Sequence, residues 1–106
     1  MADEIKWVGA SGKSNIYRTC PINNISFQAV AGNYCVAKET KPGYFSPLYF
    51  GETADLSERF DNHHKMTCFT RNGATHIHAH TNSSGQTARL AEETDLIQQW
   101  NPTCNG

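Results

Sequence analysis

The chain offers chemistry in four places. Arg59 and His63 stand four residues apart behind "PLYFGETADLSERFDNHH", residues 47 to 64. If a helix opens at Asp55, with Glu58 three residues on completing a capping-box pattern, Leu56, Arg59, Phe60 and His63 share one helical face. That face must pack on the preceding strand, so an arginine and a histidine border an interior surface. Two readings follow: an arginine that snorkels outward beside an edge histidine, or a cationic pair held over a cleft. Glu93 poses a second puzzle. At 100° per residue, Leu90, Leu96, Ile97 and Trp100 span an arc centred near Glu93, while Glu92 falls at its rim. A carboxylate in an apolar stripe needs a charged partner, which is either Arg89 in an internal pair or a bound divalent cation.

The other two are weaker. "HIHAH" puts His76, His78 and His80 on one face of a strand, with Ile77 and Ala79 supplying the apolar face. No cysteine or carboxylate is placed beside them by sequence, so the expectation is a solvent- or cleft-facing row that touches phosphate when protonated, not a working metal site. "GASGKS", residues 9 to 14, suggests a phosphate loop. That motif wants a glycine five residues before Gly12, where Trp7 stands.

The elements that must position these groups are short. At 106 residues, 38% hydrophobic and 18% charged, the chain suits one globular domain with a modest core. No apolar run approaches the roughly 20 residues of a membrane span, and "MADEIKW" lacks the apolar core of a signal peptide, so a cytoplasmic, non-membrane setting is expected. Cys20, Cys35, Cys68 and Cys104 are widely spaced without C-x-x-C, which predicts reduced thiols. With a net charge of −1, any nucleic-acid contact must come from a local patch.

Residues 1 to 31 read as an N-terminal extension with short strands at "IKWV" and "ISFQAV" around a polar loop. Next come a strand at "GNYCVAKE" (32 to 39), a turn at "KPG" and a strand of about four residues from Pro47 to a turn at Gly51. The helix from Asp55, an irregular stretch from Met66 to Gly73, the "ATHIHAHT" strand and a helix from about Gln86 to Trp100 complete the chain, the last capped at Ser83 or Thr87 and stopped by Asn101-Pro102. This order predicts an α+β domain with a small antiparallel sheet.

In order, "GNY" (32 to 34), "YFG" (49 to 51), Arg59 with His63, Glu93 followed by Leu96-Ile97, and "NPTCN" ending at Asn105 resemble the motifs of the GIY-YIG nuclease superfamily. The resemblance covers residues 32 to 105. It implies a three-stranded antiparallel sheet flanked by helices over residues 32 to 106, with residues 1 to 31 packed against it. It also implies metal-dependent hydrolysis of nucleic-acid phosphodiester bonds, with DNA the expected substrate. Tyr34 and Tyr49 resemble the two motif tyrosines, Arg59 the catalytic arginine and His63 a histidine frequent at this place. Glu93 resembles the metal-binding glutamate, for one Mg²⁺ or Mn²⁺, and Asn105 the terminal active-site asparagine. Asn33 and Phe50 replace isoleucines, and the gap between the tyrosine motifs is longer, which suggests an extended hairpin around "ETKPGYFS". A binding module that has lost its chemistry and a nuclease toxin are the alternatives.

Overall fold

The computed structural model describes residues 4–25, 27–58 and 63–105. Its strands are β1 (Glu4–Val8), β2 (Ser14–Pro21), β3 (Gly32–Lys41), β4 (Tyr44–Thr53) and β5 (His76–Thr81). The helices are α1 (Met66–Arg71) and α2 (Gln86–Trp100), followed by a 3₁₀ turn at Thr103–Asn105. The architecture is α+β, but the expected three-stranded sheet is incorrect. All five strands form one antiparallel sheet in the order β1-β2-β5-β3-β4.

The N-terminal segment is therefore not an addition packed on a finished sheet. Pairing with β3 leaves one edge of β5 open, and β2 satisfies its backbone groups in the register Arg18 to Ala79 through Pro21 to His76. The strand lies at Ser14–Pro21, in the stretch expected to be a polar loop, whereas 27 to 30 lies outside any strand.

Both faces of the sheet are covered. One carries Tyr34, Val36, Ile77 and Ala79 beneath Leu56, Phe69 of α1 and Cys104. The other carries Trp7, Tyr17, Cys35, Ala37 and Phe50 beneath Leu96 of α2. This second core explains why the centre of the histidine row does not face solvent, while His76 and His80 stay partly exposed. His78 is fully buried, stacked on Trp7, whose Nε1 donates to His78 Nδ1 at 3.0 Å. Burial pushes its pKa down to about 3, so the ring is neutral and holds no phosphate. His80 stacks on Tyr17, and His76 lies against Phe45.

Of the helix expected from Asp55, residues 59 to 62 lie outside the described residues, and 55 to 58 are not helical. Asp55 Oδ1 accepts from both the backbone N–H and the hydroxyl of Ser57, and Thr53 Oγ1 accepts from the Asp55 N–H. These side chains satisfy the backbone locally and make turns over 55 to 58. A helix forms at Met66–Arg71, where an irregular stretch was expected. It closes at Gly73, φ 72°, with Ala74 N–H bonded to Phe69 O and Gly73 N–H to Thr70 O, a pairing that delivers the chain into β5.

Cys68 and Cys104 form a disulfide, contrary to the expectation of four thiols, while Cys20 and Cys35 are free and buried. The bridge ties α1 to the C-terminal turn across 36 residues, a loop whose closure contributes about 3 to 4 kcal/mol in the chain-entropy account. Its partners meet because the chain after Pro102 folds back under the first face, a tertiary event that cysteine spacing does not reveal.

Candidate active site

β4 runs ten residues and does not end at Gly51. Gly51 lies in mid-strand directly opposite Tyr34 on β3. A Cβ there would sit 2.6 Å from Tyr34 Cζ and Oη and 2.8 Å from a ring carbon of Tyr49. The glycine gives the space in which both tyrosines lie on one face, ring centroids 6.0 Å apart. Gly51→Ala must push the rings apart. We expect a loss of about 1 to 3 kcal/mol in stability, read by chemical denaturation, because overpacking forces the neighbours from their rotamers.

A cavity of about 550 Å³ opens beside these rings at the β4 edge, between the turns at 53 to 58 and the first half of α2. Tyr34, Tyr49, His63 and Glu93 all line it, from four separate segments. Tyr34 Oη lies 2.6 Å from His63 Nε2, and the His63 ring stands edge-on to Tyr49 at 5.0 Å. The Lys65 backbone N–H donates to His63 Nδ1 at 3.0 Å. Burial, aided by His64 and Lys65, pushes the His63 pKa down to about 4. In the neutral ring, Nδ1 is the acceptor, so the proton sits on Nε2 and is donated to Tyr34 Oη. Burial raises the pKa of both tyrosines. Glu93 adds to the rise at each, and the hydrogen bond from Tyr34 offsets part of it at Tyr49.

α2 departs from the expected stripe. Its buried line is Arg89 and Leu96, while Leu90 and Trp100 are 43% and 41% exposed. Glu92 and Glu93 fall roughly 50° to either side of that line, so both point inward, on opposite flanks. Glu92 is not a rim residue. It accepts from Tyr17 Oη and Asn82 Nδ2, and its Oε1 lies 3.6 Å from His80 Nε2. Arg89 pairs with Glu52 at 2.9 Å rather than with Glu93.

Glu93 is left half-buried with no ion pair or hydrogen bond among the described residues. Burial and the nearby Glu52 raise its pKa. Glu52, Asp55, Glu58 and His64 also line the cavity; the sequence offered Asp55 and Glu58 only as helix-capping residues and did not single out Glu52 or His64. The signal for Glu52 was its place directly after the glycine that admits Tyr34. Among the described residues no group of three or more His, Cys, Asp or Glu is arranged to hold a metal ion. The oxygen donors available to a cation here are Glu93 and Glu52, whose charge acts on Glu93 but which is already paired with Arg89.

Two expected residues stand apart. Arg59 lies outside the described residues. Asn105 does not line the cavity: its Oδ1 accepts from the Phe50 N–H at 2.9 Å and its Nδ2 donates to Phe50 O at 3.0 Å. It clasps the free edge of β4 between Tyr49 and Gly51 and so holds the strand that carries the tyrosine. No helix among the described residues is long and apolar enough to cross a membrane. No protein-family model, curated protein or solved structure matches the chain.

Proposed function

We propose that the chain is a metal-dependent endonuclease of GIY-YIG type that hydrolyses phosphodiester bonds in nucleic acid, with DNA the expected substrate. The observation that carries this is the convergence of Tyr34, Tyr49, His63 and Glu93 on one cavity, with the tyrosine pair made possible by Gly51. Glu93, helped by Glu52, would hold one Mg²⁺ or Mn²⁺. When bound, that ion supplies Lewis acidity toward the phosphodiester oxygens. The remaining work falls to the chain. The Nε2–H of His63 fixes the Tyr34 hydroxyl, and the two phenols orient the attacking water. Arg59, assigned by resemblance, offers a planar fork to the phosphate.

The test is incubation with linear, nicked, branched and single-stranded DNA and with RNA, in Mg²⁺ and in EDTA. Cleavage of at least one substrate in Mg²⁺ and of none in EDTA is expected; silence across the panel would refute the reading. Arg59→Lys keeps the charge but loses the fork, so the cleavage rate should fall by ~10²-fold, in line with loss of a donor at developing charge. A rate near wild type would make Arg59 structural.

The Cys68–Cys104 bridge weighs against the cytoplasmic setting expected from the sequence, since disulfides persist in oxidising compartments. It favours a second reading, a nuclease that acts as a secreted or injected toxin. Growth arrest on expression of the wild type in a host, relieved by Glu93→Ala, would support that reading.

A further inference from the structure

Charge is divided unevenly over the surface. The cavity is lined by four carboxylates, Glu52, Asp55, Glu58 and Glu93. The chain from His63 to Thr81, whose first two residues line the cavity, holds all five histidines, Lys65 and Arg71 and no aspartate or glutamate. This segment includes α1, whose six residues span roughly 9 Å and lead from the cavity wall at His63 and His64 toward Arg71.

There the β3–β4 hairpin meets it. Lys38, Lys41 and Tyr44 belong to an exposed tip that projects beyond the covered part of β3. Thr75 N–H bonds to Ala37 O and Glu39 N–H to Thr75 Oγ1, which fixes the hairpin against the turn after α1. Lys38 Nζ lies 3.8 Å from where a Cβ of Gly73 would be, two residues from Arg71. Glu39, the one acid of the tip, is engaged in closing the turn, its Oε2 accepting from the Gly43 N–H. Lys41 Nζ stands 4.4 Å over the ring of Tyr44, which is 61% exposed. Among the described residues Lys38, Lys41 and Arg71 form no ion pair with a carboxylate.

We propose that Arg71, Lys38 and Lys41, continued by Tyr44, form a track that binds the phosphodiester backbone of a nucleic-acid strand leading from the cavity, with Tyr44 offering its ring to an unpaired base. Three cations without carboxylate partners beside an acid-free segment complement a polyanion, and an exposed aromatic among cations suits base stacking. The proposal deepens the nuclease reading and rests on it for the class of ligand. It adds the binding surface that the acidic cavity cannot supply.

The test is fluorescence anisotropy of labelled single-stranded and duplex DNA in EDTA, so that binding is read without cleavage. The variant Lys38→Gln/Lys41→Gln/Arg71→Gln is compared with wild type and with Lys6→Gln/Lys13→Gln/Arg18→Gln, an equal charge change on β1, β2 and the turn between them. The track variant should bind roughly tenfold more weakly or worse at low salt, and its log–log salt slope should be shallower by about two on single strands and nearly three on duplex. Tyr44→Ala should weaken single-stranded binding more than duplex binding. The control should stay within about twofold of wild type. Equal losses in both triple variants would reduce the effect to net charge and overturn the track. Track-variant binding equal to wild type, in a protein that cleaves, would overturn the track and spare the nuclease reading. DNA binding through the track by a chain that cleaves nothing would do the reverse.

Discussion

Glu93→Gln is expected to melt at a higher temperature than wild type at neutral pH while its cleavage rate falls by ~10³-fold. Both effects come from one carboxylate. In the fold, burial and Glu52 raise the Glu93 pKa, so the native state binds this proton more tightly than the unfolded chain does. Stability from this group is complete below the ordinary carboxylate range and is lost as pH rises through the raised folded value. At pH 4 the two proteins should therefore melt alike, and at pH 7 to 8 the variant should melt higher. Thermal unfolding across pH reads this directly, and a variant destabilised at every pH would show Glu93 to be a packing residue. The rate loss follows from removing the ligand of an ion that contributes several kcal/mol to charge stabilisation, at about 1.4 kcal/mol per factor of ten. Mn²⁺ should raise the melting temperature of wild type and not of the variant.

Arg89→Met is expected to cost about 3 kcal/mol, which lowers the melting temperature by roughly 12 °C or more. Arg89 is 8% exposed, and its Nε donates to Glu52 at 2.9 Å, while its backbone carbonyl accepts from Asn33 Nδ2 at 2.8 Å. Deleting the guanidinium leaves Glu52 with an uncompensated charge at the α2–sheet interface, beside Glu93. The carbonyl contact survives, so the loss is electrostatic rather than a collapse of the helix. Combining Arg89→Met with Glu52→Gln should restore most of the stability, because removing both partners leaves neither one buried without its counter-charge. Equal unfolding free energies for the single and double variants would contradict this assignment.

These residues also mark what the sequence can and cannot convey. The β3, β5 and α2 segments were legible because their patterns are local: a strand run at Gly32–Lys41, alternation at His76–Thr81, and a long helical stretch ended by Asn101-Pro102. Tyr34, Tyr49, His63 and Glu93, singled out by type and order, line one cavity, although the reasons assigned to them were partly different. Gly51 appeared as a turn residue, but its function is to leave room for Tyr34. Arg89 appeared as the partner of Glu93, but its partner is Glu52, a choice made by β4 lying under α2.

What failed depended on distant partners. The five-stranded sheet requires β2 to find β5, 61 positions along the chain from Arg18 to its partner Ala79, and nothing within β2 announces it. The histidine row faced the wrong way in sequence because the second core, made by Trp7, Tyr17 and α2, is assembled only in three dimensions. The turns at 53 to 58 defeated a helix expectation built on capping, since Thr53, Asp55 and Ser57 serve one another before they serve a helix.

The account centres on a divalent ion acting at Glu93 in the tyrosine cavity. The most direct measurement is single-turnover cleavage of the best substrate from the panel, with Mg²⁺ titrated into metal-free protein, for wild type and Glu93→Gln. Wild type should show no cleavage without metal and a saturable rise with it, and the variant should stay near baseline throughout. Cleavage by wild type in EDTA, or matching titration curves for the two proteins, would contradict the account.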